Sequence, residues 1–448
     1  MTRNRSRKSR RDRKLTVYLF NVGQGDNILL RLPNGEYGII DFFYDIDLNL
    51  SEPPALTYLK KIRRRLQPTT PLIISFVCLS HPDNDHVKGV RELLEWVSNK
   101  KNNVQLKNLW LFSGTIMEEL MGQYEDYVAS TVESVSTHRA SEVSRQLRAV
   151  LNFRDSRHWK GNVEYLHEVR KLAENAGGGV KAVSVAPLGK HVNRFNKNTQ
   201  RAFVRFTVEG KKHKTPQQNL ISSILMLIYG RHRLLFGGDT GSKIWMDCIK
   251  HYYEHKHDKE YGPLQGHFVK VSHHGSKHSS KPQIWAQVLF PQSHVGISAG
   301  RKGNYHHPHR ETLKDVLGTF NEEAKCPIVL STNSCHECVG KQSMPSRTLD
   351  WMASKRPPLK QQVEESLDRY RHMEAETGGQ NWPEGCALDP PPNYLAAYIF
   401  RFESGNVIKV YKGLSSKVSS DEECLFKTDH SLPFPKCVLR KSEQNTEP

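Results

Sequence analysis

Residues 79–86 read Leu-Ser-His-Pro-Asp-Asn-Asp-His and follow an apolar stretch at 71–79, Pro-Leu-Ile-Ile-Ser-Phe-Val-Cys-Leu. That stretch predicts a strand of a sheet that is covered on both faces. A helical pattern starts at Arg91, so two histidines and two aspartates fall in a strand-to-helix loop. Such a cluster of imidazoles and carboxylates predicts a divalent cation, because the cation neutralises the crowded charges. A solvated surface loop is the alternative.

Three further predicted strand ends carry the same kinds of residue. Asp239 follows an apolar stretch and two glycines, His273 and His274 follow the strand at 268–271, and His307 follows the strand at 293–299. Strand ends of a layered α/β protein share one edge, so these side chains can converge. Asp239 is placed to bridge two cations, and capping the helix that follows is its alternative role.

The N-terminal strands add two carboxylates. Strands are predicted at 15–22, 27–32 and 37–41, and an Asn-Gly turn joins the second to the third. Asp26 and Asp41 stand at strand ends and are expected along the same rim of the sheet. Either aspartate is also typical of an ordinary turn or helix cap.

The rest of the chain predicts one large domain with two insertions. Residues 1–14 are densely basic and predict a disordered arm, which serves either as a nucleic-acid tether or as a solubilising tail. The domain covers 15–412, with a helical insertion at about 115–175 and an irregular insertion at about 340–393, and 413–448 form a polar tail. A helix is predicted at 52–68, and further strands at 106–112, 180–188, 202–208, 219–229, 328–331 and 394–411.

Composition narrows the class of partner. The 448 residues include 65 Lys and Arg against 47 Asp and Glu, which gives a formal charge of +18. This excess favours a polyanionic partner, most simply nucleic acid, although it can also serve solubility. Eight cysteines in so long a chain do not predict a disulfide framework, so we expect a cytoplasmic protein. No apolar run is long enough to cross a membrane, and no secretion signal is expected.

The motifs occur in an order that resembles the metallo-β-lactamase fold, in the branch exemplified by the soluble domain of the DNA-uptake protein ComEC. The matching segments are Gly23–Asp26, Asp41, His81–His86, Gly238–Asp239, His273–Ser276 and His307–Pro308. The resemblance covers about 15–335 and the last strand pair, without the transmembrane part of ComEC. It implies a four-layer αββα sandwich in which two β-sheets face each other, helices lie outside, and metals bind at one edge.

The resemblance also implies a role for each motif residue. His81 and Asp83 would bind one cation, Asp85 and His86 a second, and Asp239 would lie between them. His274 would be a further metal ligand, with His273 beside it. Asp26 and Asp41 would lie behind these ligands and orient them. The implied catalytic residues are Asp85, His273 and His307. The implied cofactors are two divalent ions, Zn²⁺ or Mn²⁺ with Mg²⁺ as a further option, because Asp83 stands where the superfamily usually has histidine.

One ligand of the family has no clear counterpart. A middle histidine is expected before Asp239, and His191 and His213 are in range but lie in polar, turn-like surroundings. A separate pair, Cys335 and Cys338, would supply only two of the four ligands of a structural zinc, so ordinary reduced thiols are the alternative.

The expected function is that of a metal-dependent phosphodiesterase, most simply a nuclease that cleaves DNA by a metal-activated hydroxide. The expected phosphate contacts are the basic arm, Lys270, Lys277, Arg301 and Lys302. One alternative is a hydrolase of a small phosphoester, cyclic nucleotide or lactone. Another is a partner-gated module of a bacterial defence-like system against phage, with protein partners docking on the insertions at 115–175 and 340–393.

Overall fold

A computed structural model describes residues 14–45, 51–112, 135–207, 218–302, 305–320, 327–331, 397–403 and 408–413. In chain order, the strands of the first half are β1 Lys14–Phe20, β2 Asn27–Arg31, β3 Tyr37–Phe42, β4 Leu72–Leu79, β5 Val104–Leu106, β6 Asn108–Phe112, β7 Asn162–Leu166, β8 Arg170–Ala173 and β9 Val180–Ala186. Those of the second half are β10 Ile224–Tyr229, β11 His232–Phe236, β12 Gly266–Lys270, β13 Leu289–Ile297, β14 Arg301–Lys302, β15 Tyr305–His306, β16 Ile328–Ser331, β17 Ala397–Glu403 and β18 Ile408–Gly413.

The helices carry their own numbering. They are α1 Pro54–Arg65, α2 Asn84–Val87, α3 Val90–Ser98, α4 Val135–Arg154, α5 Gly189–Thr207, α6 Ser242–Glu254, α7 His257–Tyr261, α8 Pro282–Val288 and α9 Arg310–Leu317. Short 3₁₀ turns lie at Lys100–Asn102, Gln218–Leu220, Ser272–Gly275 and Lys277–Ser279.

Two large sheets organise these elements. The first has nine strands in the order β18-β17-β1-β2-β3-β4-β6-β7, with β5 paired to β4, and the second has seven in the order β16-β13-β12-β11-β10-β9-β8. Strands β3, β4, β6 and β7 run parallel, as do β11, β12, β13 and β16. The carboxyl ends of each parallel group therefore meet at one edge of its sheet, where ligand sites of α/β proteins commonly lie.

The buried side chains form three cores that separate four layers. In β1, Val17 and Leu19 point towards the second sheet, whereas Tyr18 and Phe20 point towards the helices, as the period of two in a strand requires. The outer core of the first sheet includes residues of α1, α3 and α4. The outer core of the second sheet includes residues of α6, α8 and α9. The layers are helix, sheet, sheet and helix, which confirms the predicted αββα sandwich.

Two segments differ from the prediction. The helical insertion expected at about 115–175 contains α4, but residues 162–173 form β7 and β8, which pair with β6 and β9. β7 pairs with a strand far away in the chain, so its local sequence carries little signal. Residues 202–207 of the strand expected at 202–208 instead form the end of α5, in which Phe195 and Thr199 bury one helical face.

Several predictions fall outside the described residues. These are the structures of 1–13, of 115–134 in the first insertion, of the whole insertion at 340–393 and of the tail beyond 413, and the cysteine pair Cys335 and Cys338. The strand pair expected at 394–411 is confirmed as β17 and β18, with β17 added to the edge of β1. No helix within the described ranges has the length and apolar character to cross a membrane.

Candidate metal centre

The loop after β4 delivers four of the predicted ligands to the shared edge. His81 and His86 are fully buried, whereas the side chains of Asp83 and Asp85 keep 27% and 31% of their surface exposed. Asp83 precedes α2, yet its side chain makes no capping hydrogen bond to that helix. The carboxylate of Asp83 therefore does not serve as the cap of that helix.

Asp239 lies between the imidazoles of two different motifs. Its Oδ1 is 3.1 Å from Nε2 of His86 and 3.6 Å from Nε2 of His274. Its Oδ2 is 3.9 Å from Nε2 of His81 and 3.8 Å from Nε2 of His273. Helix α6 starts only at Ser242 and has no side-chain cap, so Asp239 does not cap it. One carboxylate oxygen thus faces each half of the pocket, as a bridging ligand would.

Hydrogen bonds with Ser222 and Ser272 fix the turn that presents Asp239. The hydroxyl of Ser272 donates to the carbonyl of Gly237 at 3.0 Å. The backbone N–H of Asp239 donates to Oγ of Ser222 at 2.7 Å. Gly238 has a φ of +49°, and a Cβ there would lie 2.5 Å from the same Oγ. Glycine is required at this position both by the left-handed backbone and by the close approach of Ser222.

The turn after β12 holds two adjacent histidines in a strained conformation. His273 and His274 have φ values of +51° and +53°, in the left-handed region that residues other than glycine rarely adopt. The N–H of His273 donates to the carbonyl of Gly238 at 2.9 Å, which ties this turn to the Asp239 turn. Asp41 also has a positive φ, +54°. Such strain clusters at functional sites, where the surrounding structure sustains it.

Asp41 fixes the tautomer of two candidate ligand histidines, His81 and His86. Nδ1 of His86 lies 2.7 Å from Oδ2 of Asp41, and a carboxylate only accepts, so Nδ1 carries the proton. Oγ of Ser80 also donates to Oδ2 of Asp41, at 2.7 Å. Because the proton of that hydroxyl is already donated to Asp41, the Ser80 oxygen accepts a hydrogen bond from Nδ1 of His81 at 3.0 Å. With Nδ1 carrying the proton of each ring, Nε2 of both imidazoles is the atom left to bind a ligand in the pocket.

His274 is oriented in the same way by the backbone. Its Nδ1 donates to the carbonyl of Ser298 at 2.9 Å. The Nε2 lone pair then faces Oδ2 of Asp85 at 3.4 Å and Oδ1 of Asp239 at 3.6 Å. Hydrogen bonds on the far nitrogen are what metal-binding histidines commonly use to fix their ring orientation.

The donor set fits a cation. Within the described chain, Nε2 of His81, His86 and His274 and Oδ1 of Asp239 are buried without a hydrogen-bond partner. These lone pairs face carboxylate oxygens, which are also acceptors, so the two groups cannot hydrogen-bond to each other directly. A proton or a cation between them would satisfy both. Ligand atoms about 2.1 Å from a tetrahedral cation lie about 3.4 Å apart. Asp85, His86, Asp239 and His274 offer ligand atoms that all lie within 4.8 Å of one another.

The electrostatics of the protein alone show the same demand for positive charge. Burial alone would lower the pKa of His86, but Asp239 and Asp41 raise that pKa well above its ordinary range. Burial alone would raise the pKa of Asp239, but His274 and His86 hold it well below its ordinary range. In the absence of a cation, protons on the imidazoles would supply the positive charge that the carboxylates favour.

The pocket has two halves. We call His81, Asp83 and His273 with Oδ2 of Asp239 half-site A. We call Asp85, His86 and His274 with Oδ1 of Asp239 half-site B.

In the part of the chain that the structure describes, neither of the two histidines considered for the expected middle position is found at the pocket. His191 lies on α5 and pairs with Asp247 at 2.9 Å, away from the pocket, and His213 lies outside the described residues. His273 instead approaches Asp239 from the late turn. The sequence predicts His273 next to the candidate ligand His274, but no residue pattern indicates that His273 faces half-site A.

His307 lies at the rim of the pocket. Its ring centroid is 5.8 Å from that of His273 and 6.4 Å from that of His274, and its Nδ1 shares a hydrogen bond with Nδ1 of His309 at 3.1 Å. Burial and the neighbouring His274 and His309 lower the pKa of His307 to about 3. The ring is therefore neutral at physiological pH.

The predicted phosphate contacts have different fates. Lys277 is exposed in the 3₁₀ turn Lys277–Ser279, three residues after His274 in the chain. Lys270 is fully buried and its ammonium pairs with Asp26, so its predicted contact with phosphate is wrong. Arg301 and Lys302 form β14, and the positions of their side chains lie outside what the structure describes.

Asp26 occupies a place behind the ligands. Its Oδ2 is 3.7 Å from Nδ1 of His86, and its Oδ1 is 3.6 Å from Nδ1 of His274. Its backbone N–H donates to the carbonyl of Asp85 at 3.0 Å, which joins the loop after β1 to the loop after β4. A Cβ at Gly25 would lie 2.6 Å from that carbonyl, so the close approach of the two loops requires glycine.

Comparison with known proteins adds little beyond the fold. No protein-family model matches the chain, and no curated protein does. A mutant of the CmlA beta-hydroxylase is similar at 12% identity and a TM-score of 0.30 over 70% of this chain, and this chain spans only 52% of that protein. Zn²⁺-bound PqqB from Methylobacterium extorquens is similar at 10% identity and a TM-score of 0.35, over 71% of this chain and 97% of that one. At such identities and scores, neither likeness assigns an activity, and the narrower resemblance to ComEC stays a prediction. By its own residues, the chain is an αββα sandwich with a two-part histidine and aspartate pocket at one sheet edge.

Proposed function

We propose that the protein is a metal-dependent hydrolase, and that its substrate is a phosphodiester of nucleic acid, most simply DNA. The observation that carries the proposal is the convergence of unpartnered Nε2 lone pairs on the two oxygens of Asp239. Carboxylates and imidazoles in this arrangement are the ligands of two-metal hydrolases.

The residues fit two divalent ions. Half-site A offers His81, Asp83 and His273, half-site B offers Asp85, His86 and His274, and Asp239 is shared. Two nitrogen and two oxygen ligands on each side favour Zn²⁺ or Mn²⁺ over Mg²⁺, which prefers oxygen alone. When bound, such ions act as Lewis acids and lower the pKa of water.

The chain itself supplies orientation and charge at the rim. Lys277 is exposed directly after the His-His-Gly turn, where its ammonium can bind a phosphate that enters the pocket. His307 is neutral, so it serves the substrate as a hydrogen-bonding group or as a proton acceptor, and not as a charged acid at physiological pH. The formal charge of +18 favours a polyanion over a small neutral ester.

The first experiment is hydrolysis of single- and double-stranded DNA with Mn²⁺, Zn²⁺ or Mg²⁺. The wild type is compared with Asp85→Ala and Asp239→Ala, each of which removes a proposed ligand. The matched control is Asp155→Ala, which removes an exposed carboxylate at the end of α4. Cleavage that needs added metal, is lost in both ligand variants and survives in the control is the expected result.

Other results separate the remaining functions. Bound metal without DNA cleavage, together with hydrolysis of a cyclic nucleotide or a simple phosphodiester, would replace DNA by a small substrate. Bound metal without hydrolysis of any of these would favour the partner-gated module. A wild type that binds no metal under any condition overturns the proposal of a metallo-hydrolase.

A further inference from the structure

Lys270 is buried beneath the metal pocket. Among the residues that the structure describes, it is the only lysine or arginine that is buried, and its side chain is 1% exposed. It ends β12 in the second sheet, yet its ammonium pairs with Asp26 in the loop between β1 and β2 of the first. Burying a lone ammonium is costly, so the pairing with Asp26 is what makes this position tolerable.

Asp26 lies behind two ligands of half-site B. Its carboxylate is 3.7 Å from Nδ1 of His86 and 3.6 Å from Nδ1 of His274. Both Nδ1 protons are already held, by Asp41 and by the carbonyl of Ser298. Asp26 is therefore not needed as an acceptor for either ring, and Oδ1 of Asp26 is buried without a hydrogen-bond partner. What it contributes to the pocket is negative charge.

The charges around the pocket balance two divalent cations only if Lys270 is included. The carboxylates are those of Asp26, Asp41, Asp83, Asp85 and Asp239. With neutral imidazoles, these five and the ammonium of Lys270 leave four negative charges, which two divalent ions cancel. A buried site far from neutrality is disfavoured, because charges interact strongly where water is excluded.

We propose that Lys270 is a positioning residue of the metal pocket, which holds Asp26 behind His86 and His274 and sets the affinity of half-site B through the charge of the pair. The inference rests on the proposed metal centre and adds a regulator of its affinity. Loss of the ammonium alone makes the pocket more negative, and loss of the Asp26 carboxylate alone makes it more positive. The two changes should therefore shift metal affinity in opposite directions.

The test is the dissociation constant for Mn²⁺ of the full-length protein, measured by titration calorimetry and by competition with a chelator. Asp26→Asn should weaken binding about 10- to 100-fold, the range found when partners behind metal ligands are changed. Lys270→Met should bind at least as tightly as the wild type, although its metal-free form melts at a lower temperature. The double variant, Asp26→Asn with Lys270→Met, should return to within a few-fold of the wild type.

Two further variants serve as controls, one for loss of folding and one for loss of a lysine charge away from the pocket. Lys270→Gln keeps a donor for Asp26 without the charge, so it should fold where Lys270→Met fails and should bind the cation more tightly than the wild type does. Lys107→Met removes an ammonium paired with Glu36 at the opposite edge of the sheet and should leave binding unchanged. Equal constants in every variant, with only the melting temperature lowered, would make the pair purely structural. A wild type that binds no Mn²⁺ or Zn²⁺ would instead refute the metal centre itself.

Discussion

Half-site A and half-site B use the same kinds of ligand, but their side chains are held differently. In half-site B, His86 and His274 are fully buried, and each ring is fixed by a hydrogen bond at its Nδ1. In half-site A, only His81 has such an anchor, through Ser80. His273 is 29% exposed, and no hydrogen bond from the described residues holds its ring.

The spacing of the ligand atoms follows the same division. Half-site B has contacts of 3.1, 3.4 and 3.6 Å, close to those around a bound cation. In half-site A, His81 is 3.3 Å from Asp83, but the two histidines are 3.9 and 3.8 Å from the shared Asp239. We expect half-site B to bind its cation first and tightly, and half-site A to exchange its cation. Preorganised ligands cost less to order on binding, which is the physical origin of that difference.

The largest effect is expected from the residue that both halves share. Asp239→Ala should weaken binding of both cations by more than about 100-fold, because it removes a ligand from each and not merely an orienting partner. Metal content after dialysis and titration calorimetry measure this directly. One equivalent retained at wild-type affinity would show that Asp239 serves a single cation.

The two adjacent histidines give the sharpest contrast. His274→Ala should abolish the tighter binding step, whereas His273→Ala should remove only the weaker one and leave one equivalent tightly bound. Both changes lie in one turn, so each is the control for damage to that turn by the other. Identical loss in the two variants would mean that the halves are not distinct.

Asp41 anchors a histidine on each side, directly for His86 and through Ser80 for His81. Asp41→Asn should weaken both binding steps by about 10- to 100-fold, because the amide has no negative charge and only one oxygen to replace the two that accept from Ser80 and His86. Circular dichroism of the metal-free variant checks that the fold is retained. A change in one step alone would argue against the relay through Ser80.

The smallest effect is expected at Ser80 itself. Ser80→Ala removes the anchor of His81 only, so the weaker step should fall about 10-fold while the tighter step keeps its constant. Ser75→Ala is the matched control, since Ser75 lies in β4 and its hydroxyl bonds Glu36 and not the pocket. An equal change in both steps would show that Ser80 acts on the whole pocket.

The sequence predicted the pocket where strand direction alone decides its geometry. His81, Asp85, Asp239 and His274 follow strands whose carboxyl ends lie at the same edge, and local patterns suffice to find such strands. The division of roles between His273 and His274 depends on two left-handed residues in one turn. No residue pattern predicts the left-handed conformation at these two positions, because neither residue is glycine.

Lys270 is buried and does not contact phosphate as predicted, although its place in the strand pattern indicates burial. Its place beside a motif suggested contact with a phosphate. Yet Phe268 and Lys270 lie two apart in one strand and therefore share a face, and Phe268 belongs to the core between the sheets. A lysine on that face must meet a buried carboxylate. Which carboxylate it meets depends on how the two sheets dock, so Asp26 could not be named from the pattern.

The contacts that close the pocket join distant parts of the chain, which makes the pocket a late product of folding. The pairing of Lys270 with Asp26 spans 244 residues, and the hydroxyl of Ser298 donates to the carbonyl of Gly25 across 273. Contacts of such long range form after the loops between them have been closed. During synthesis, the aspartates of the first sheet therefore leave the ribosome long before their partners. A nascent chain that stops short of Ser298 carries most of the ligands but lacks the framework that would make them a site.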